Sequence, residues 1–258
     1  MDILAPVLMP EATPENLSPD AVAFYREHGF VRVRGIISDS EADTFREVAL
    51  DISRRDQRPI GNIFDQHVNV WREDERIRPL TLHPVVAQVA ETLVGGPLRL
   101  WHDHILIKKP HNNAATEFHQ DQPYWPHLDS PDPISCWIAL CDVPVERGCM
   151  TFLPGSHHRT DLAAQNLGDS GSLFSLAPDL RWSERVTVPL RKGDCTFHHG
   201  RCAHMATPNF TDDPRVAHVI IYINDGTRYT RKRHIVTDPL NLEEGQLIEG
   251  ELFPRVAL

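Results

Sequence analysis

Three things are scarce in this chain of 258 residues, and each scarcity excludes something. No stretch approaches the roughly eighteen consecutive apolar residues of a membrane-spanning helix. The opening twenty residues also lack the basic stretch that starts a signal peptide, so the expected location is the cytoplasm. Cysteine pairs are missing as well. Cys136, Cys141, Cys149, Cys195 and Cys202 are odd in number and never spaced as C-x-x-C, which excludes a disulfide framework or a structural zinc site and predicts buried, reduced thiols. Basic residues are outnumbered, 26 Lys and Arg against 36 Asp and Glu, and the net charge of −10 argues against a broad basic surface for nucleic acid or an anionic membrane. The one basic run, Arg231-Lys232-Arg233-His234, reads as a solvated strand end in preference to a grip on an anionic substrate.

What is present fits one soluble globular domain. Hydrophobic residues make up 41% and charged ones 24%, the length suits a single core, and there is no internal repeat. Residues 1–16, with three prolines and little periodicity, read as a flexible lead-in to a single domain over 17–258. Ser18-Pro19 is a helix start that should run to Gly29, Ser38 with Glu41 makes a capping box for a second helix, and a third is expected over 84–93 before Gly95-Gly96-Pro97. A half-buried strand is expected over 30–34. From residue 98 the pattern changes to short β-rich runs, 98–107, 134–143, 186–190 and 216–223, separated by Pro, Gly, Asp and Asn. Helices first and many strands after predict an α+β fold, with helices outside a β-sandwich or barrel. The polar stretch 159–184 reads as a lid or a surface insertion.

The chemistry concentrates in a few residues. His119-Gln120-Asp121 is an H-x-D pair; on a strand or at its end, side chains two apart share a face, so an imidazole and a carboxylate converge. With one distant histidine they form the 2-His-1-carboxylate triad, which leaves open positions on iron(II) for a co-substrate and oxygen. A second H-x-D, His127-Leu128-Asp129, lies among Pro126, Pro131 and Pro133, which favour a loop, and the first pair is preferred. The segment 193–204 offers His198, His199 and His204 as the third ligand, and spacing alone does not choose among them. Arg215, eleven residues after His204, bears on the choice. The turn-rich 209–214 predicts a hairpin that sets its guanidinium beside His204, where a planar cation would hold the far carboxylate of 2-oxoglutarate.

Four blocks, at 106–110, 118–126, 148–157 and 193–215, together resemble the phytanoyl-CoA dioxygenase family, over about residues 20–225. The resemblance implies a double-stranded β-helix (jelly-roll, cupin-like) core with His119, Asp121 and His204 as iron ligands and Arg215 on 2-oxoglutarate. It also implies Trp137 and His104 beside the co-substrate. The implied activity is that of an iron(II)- and 2-oxoglutarate-dependent dioxygenase. Such an enzyme uses O2 to oxidise, most simply to hydroxylate, a small organic substrate such as a secondary metabolite, amino acid or acyl thioester, releasing succinate and CO2. The alternative on the same fold is a non-oxidative metal-dependent isomerase or a small-ligand binding protein. One departure stands out: relatives often carry Ser two residues after the distal histidine, where this chain has Ala206, and Thr207 is the neighbour expected to supply the hydroxyl. Because related halogenating enzymes replace the carboxylate ligand with a small residue, Asp121 points away from chlorination.

Overall fold

The computed structural model describes residues 7–56, 63–127 and 129–256. The elements run α1 (Pro19–His28), β1 (Phe30–Val33), α2 (Asp39–Arg55), β2 (Asp65–Val68), α3 (Arg78–Thr81), α4 (Pro84–Val94), β3 (Leu98–Lys108), β4 (Thr116–His119), β5 (Ile134–Ala139), β6 (Met150–Phe152), α5 (Ser172–Leu176), β7 (Val186–Val188), β8 (Cys195–His199), β9 (His204–Ala206) and β10 (Arg215–Asn224). The local signals explain the helix limits. Ser18 caps α1 by accepting from the Ala21 N–H, and Gly29 closes it with φ +83, the left-handed region that glycine enters without strain. The Ser38 and Glu41 capping box opens α2, and Gly95, also left-handed, ends α4.

The strands form two sheets, a six-stranded one in the order β1-β8-β5-β10-β3-β2 and a four-stranded one in the order β4-β9-β6-β7. Every pairing is antiparallel, so the fold is mixed α/β with antiparallel sheets. α2 lies against β10, α4 against β3 and β5, and α1 against α4. Ile105, Ile138 and Ile220, on one face of the larger sheet, share a buried apolar cluster with Val86, Val89 and Leu93 of α4. Side chains of the opposite parity line up across the strands. Val219 pairs with His104 on one side and with Trp137 on the other, and Arg215 faces Lys108. All five cysteines are buried and free.

Residues 159–184 are not an open loop. Leu162, Leu173, Phe174, Ala177 and Leu180 pack with Phe118, Leu153 and Ala203 into a second apolar cluster, which joins the insertion to the smaller sheet. Ahead of α1, Ala12 is 2% exposed and its carbonyl accepts from the Arg34 N–H at 2.9 Å. Residues 1–6 of the expected lead-in lie outside the described residues. No helix among the described residues is long and apolar enough to cross a membrane.

Candidate metal and co-substrate site

β4 and β9 are neighbours, and their register sets His119 opposite His204 with ring centroids 4.3 Å apart. Both rings are oriented by the same local device. Nδ1 of His119 lies 2.8 Å from the Glu117 carbonyl, and Nδ1 of His204 lies 3.0 Å from the Cys202 carbonyl. A carbonyl only accepts, so each Nδ1 carries the proton and each Nε2 presents a lone pair. These lone pairs face Oδ1 of Asp121, at 3.4 Å from His119 and 3.9 Å from His204. Asp121 is two residues past the end of β4, at the start of the 3-10 turn Gln122–Tyr124. Among the described residues, these three are the one group of His, Cys, Asp or Glu side chains whose ligand atoms all lie within 4.8 Å of one another.

The electrostatics suit a cation. Burial pushes His204 down to about 3, so it is neutral at ordinary pH. Burial alone would raise Asp121; positive charge shared with the facing His204, His119 and His198 nitrogens, as a proton or a metal ion supplies it, outweighs that and holds its carboxyl well below the usual range. A carboxylate beside two imidazole nitrogens is the donor set that a borderline divalent metal prefers.

The competing histidines separate on geometry. His199 Nδ1 accepts from the Arg201 N–H and its Nε2 donates to the Pro131 carbonyl, so both nitrogens are used for structure. His198 comes from the larger sheet to within 3.5 Å of Asp121 Oδ2, yet its Nδ1 has no carbonyl to orient it. The second H-x-D pair diverges: His127 is buried between Trp101 and Trp125, while Asp129 accepts from the Arg228 N–H. Leu128 between them is outside the described residues.

His119, Asp121, His204, Arg215, Trp137 and His104 all line one cavity of about 450 Å³, a size suited to a small ligand. Arg215 is 2% exposed and sits 5.2 Å above the Trp137 ring centroid. Its Nε and Nη1 are buried without a hydrogen-bond partner, and burial pushes its pKa down to about 10. The hairpin expectation is corrected here. β9 belongs to the smaller sheet and β10 to the larger, so Arg215 faces the cavity from the opposite sheet. The cause is Asn209, fully buried, whose amide donates to the carbonyls of Lys108, Lys109 and Asp213 and carries the chain across from one sheet to the other. His104 accepts at Nδ1 from the Gln66 amide, so its Nε2 carries the proton, and that N–H is buried without a partner. Burial lowers its pKa to about 4 and keeps it neutral.

Thr207 does not replace the missing serine hydroxyl: its Oγ1 donates to the Val145 carbonyl. Thr116, the cross-strand partner of Ala206, lines the cavity instead. Sequence reasoning also passed over Lys108, opposite Arg215. Its ammonium donates to the carbonyls of Ala114, Ala206 and Thr207, which fastens the two sheets together at this end, and burial pushes it down to about 7. A lysine closing the β-rich run 98–107 was the available signal. The basic run lies in a loop and not on a strand. Arg231 and Arg233 pair with Glu244 and Asp238, Lys232 donates to the Pro123 carbonyl, and Arg233, His234 and Ile235 line the cavity.

A two-histidine, one-carboxylate cluster in a cavity shared by two antiparallel sheets is the class of site these elements define. The family model described as Phytanoyl-CoA dioxygenase (PhyH) matches residues 25–217, and the chain belongs to that family. It is 25% identical over 218 residues to the peroxisomal phytanoyl-CoA dioxygenase of Bos taurus, covering 74% of this chain and 65% of the bovine protein. The alignment thus spans somewhat less than two thirds of that relative's length. Among solved structures, the non-heme alpha ketoglutarate dependent carbocyclase SnoK from nogalamycin biosynthesis is similar with a TM-score of 0.84 and 37% identity, covering 96% of this chain and all of the other. The epimerase SnoN, solved with Fe3+, alpha ketoglutarate and nogalamycin RO, is similar with a TM-score of 0.80 and 33% identity over 93% of this chain and all of the other.

Proposed function

We propose that this protein is an iron(II)- and 2-oxoglutarate-dependent dioxygenase that oxidises a small organic substrate, with His119, Asp121 and His204 as the metal ligands and Arg215 on the co-substrate. The observation that carries the reading is the guanidinium of Arg215. A buried cation without a hydrogen-bond partner is costly, and a carboxylate of matching planar geometry offsets that cost. Its place in the same cavity as the His119, Asp121 and His204 cluster suits a ligand with a carboxylate at one end and a metal-chelating group at the other. A metal-dependent isomerase or a binding protein has no need of that fork.

Iron(II) with 2-oxoglutarate would supply the activation of O2, with succinate and CO2 formed as a C–H bond of the substrate is oxidised. The chain's own residues do the positioning. The carbonyls of Glu117 and Cys202 keep the lone pairs of His119 and His204 turned inward. Trp137 covers the guanidinium, and the His104 Nε2–H offers a hydrogen bond into the cavity. Tyr124, Trp125, Phe64 and Leu167 close the walls against water. In this reading the two sheets are the halves of a double-stranded β-helix with α1, α2 and α4 outside, 17–258 is one domain, and the protein works in the cytoplasm. SnoK and SnoN favour a secondary metabolite as substrate.

The test is a mass-spectrometric screen of candidate secondary metabolites with Fe(II), 2-oxoglutarate, O2 and excess chloride. The expected result is succinate matched to a product that has gained oxygen or lost hydrogen. Failure of the protein to consume 2-oxoglutarate with any candidate or in its absence, or a chlorinated product, contradicts the proposal.

A further inference from the structure

Gln120 lies between His119 and Asp121, where the chain leaves β4 and the ladder to β9 is already irregular. Its side chain turns away from the cavity. The amide nitrogen lies within 3.1 Å of the carbonyls of Ser156, Arg159 and Arg201, and the residue is 1% exposed. Its backbone N–H is taken by Oε1 of Gln165, at 2.7 Å, from inside the insertion 159–184. Gln165 is itself 4% exposed. Its amide orientation follows from its partners: the Gln120 N–H requires an acceptor and the Ala163 carbonyl requires a donor.

Two more contacts fasten the same stretch, residues 163–167, as a strap across the turn. The Gln165 carbonyl accepts from the Tyr124 hydroxyl, and the Leu167 carbonyl accepts from the Glu117 N–H at 2.9 Å. Glu117 is the residue whose own carbonyl orients the His119 ring. The strap therefore holds the metal-ligand turn before, within and after the H-x-D sequence, and the apolar cluster of Leu162, Leu173 and Phe174 holds the insertion that carries the strap.

We propose that Gln165 is a positioning residue for the metal site, fixing through the Gln120 peptide the angle at which Asp121 leaves the strand relative to His119. The inference rests on the reading of His119, Asp121 and His204 as metal ligands. Gln165 touches neither metal nor substrate in this account. A neutral acceptor at its Oε1 holds a buried N–H that otherwise lacks a partner, and loss of such a support commonly weakens metal binding about tenfold or more.

The experiment titrates Co(II) alone into wild type, Gln165→Met, Gln165→Glu and His119→Ala, reading affinity and the visible ligand-field spectrum alongside the melting temperature of the metal-free proteins. Methionine keeps the length and apolar fill without the acceptor; glutamate keeps the acceptor and, protonated where its second oxygen meets the Ala163 carbonyl, the donor as well. The expected result is an about tenfold loss of affinity and a changed spectrum in Gln165→Met, with the metal-free melting temperature near that of wild type and substantial recovery in Gln165→Glu. If Gln165→Met does not fold, Gln165→Asn, one methylene too short to reach the Gln120 N–H, takes its place. Wild-type affinity and spectrum in the variant without the acceptor, or a loss that follows stability and is not recovered by glutamate, overturns the role of Gln165 alone. Co(II) bound equally by wild type and His119→Ala overturns the metal-site reading and the positioning role with it.

Discussion

In the smaller sheet, β6, β7 and β9 are three residues long and β4 is four, whereas β3 and β10 of the larger sheet run for eleven and ten. The two sheets position their side chains by correspondingly different means. His119 and His204 sit at ends of short strands, and each imidazole is aimed by a carbonyl two residues behind it. Arg215, Trp137 and His104 belong to strands paired along most of their length, and register and burial aim them, with one added hydrogen bond from Gln66 to the His104 ring. Donor geometry on the metal side is local and is lost with one side chain. Charge on the other side is held by the fold.

The sharpest break in that comparison removes one of the proposed metal ligands. His119→Ala or His204→Ala is expected to abolish metal binding and succinate formation, while His127→Ala leaves both largely intact, as metal analysis and succinate assay will show. Next comes Arg215→Ala, expected to weaken 2-oxoglutarate binding by about 10- to 100-fold while metal affinity is unchanged, since charge-assisted bonds contribute roughly 1.5–3 kcal/mol. Calorimetric titration of the metal-loaded protein with co-substrate checks it, and unchanged affinity would return Arg215 to a structural role.

Gly148→Ala tests how firmly the larger sheet holds that guanidinium. Gly148 has φ +74, and an added Cβ would lie 3.2 Å from Arg215 Nε and 3.4 Å from Lys108 Cδ. Strain of about 1–3 kcal/mol is expected, with a several-fold loss of 2-oxoglutarate affinity and little change in metal affinity, measured by thermal unfolding and the same titrations.

The smallest effect should leave the site untouched. Asp103, fully buried on β3, accepts from the Trp71 N–H and the Thr81 hydroxyl, and burial raises its pKa to about 7, above that of an unfolded aspartate. The folded state therefore holds this proton more tightly. The stability from Asp103 is complete below an unfolded pKa of about 4 and is lost as pH rises through about 7, with a slope near 1 kcal/mol per pH unit. Unfolding of Asp103→Asn between pH 4 and 7 should lack this slope, with metal binding as in wild type.

Much of this was legible in the sequence wherever a local rule decided the outcome. Ser18, Ser38 with Glu41, and Gly95 mark helix limits because caps and left-handed turns depend on neighbouring residues alone. The pair His119 and Asp121 was readable because two-residue spacing survives at a strand end. Strands of three residues, such as β6 and β9, carry too little pattern to be seen, and the route of the chain after His204 hid in Asn209, whose side chain replaces a hairpin with a crossing between sheets. Gln165 gave no signal at all. A buried glutamine in a polar insertion looks like surface until the acceptor it offers to Gln120 is seen in three dimensions.

The proposal that one cavity holds iron through the smaller sheet and 2-oxoglutarate through the larger can be tested by adding both to the protein without oxygen. A weak visible charge-transfer band should appear in the wild type and saturate with 2-oxoglutarate. It should be missing in His204→Ala and demand far more 2-oxoglutarate in Arg215→Ala. No band in the iron-loaded wild type, or one that forms with equal affinity when Arg215 is alanine, would contradict the claim.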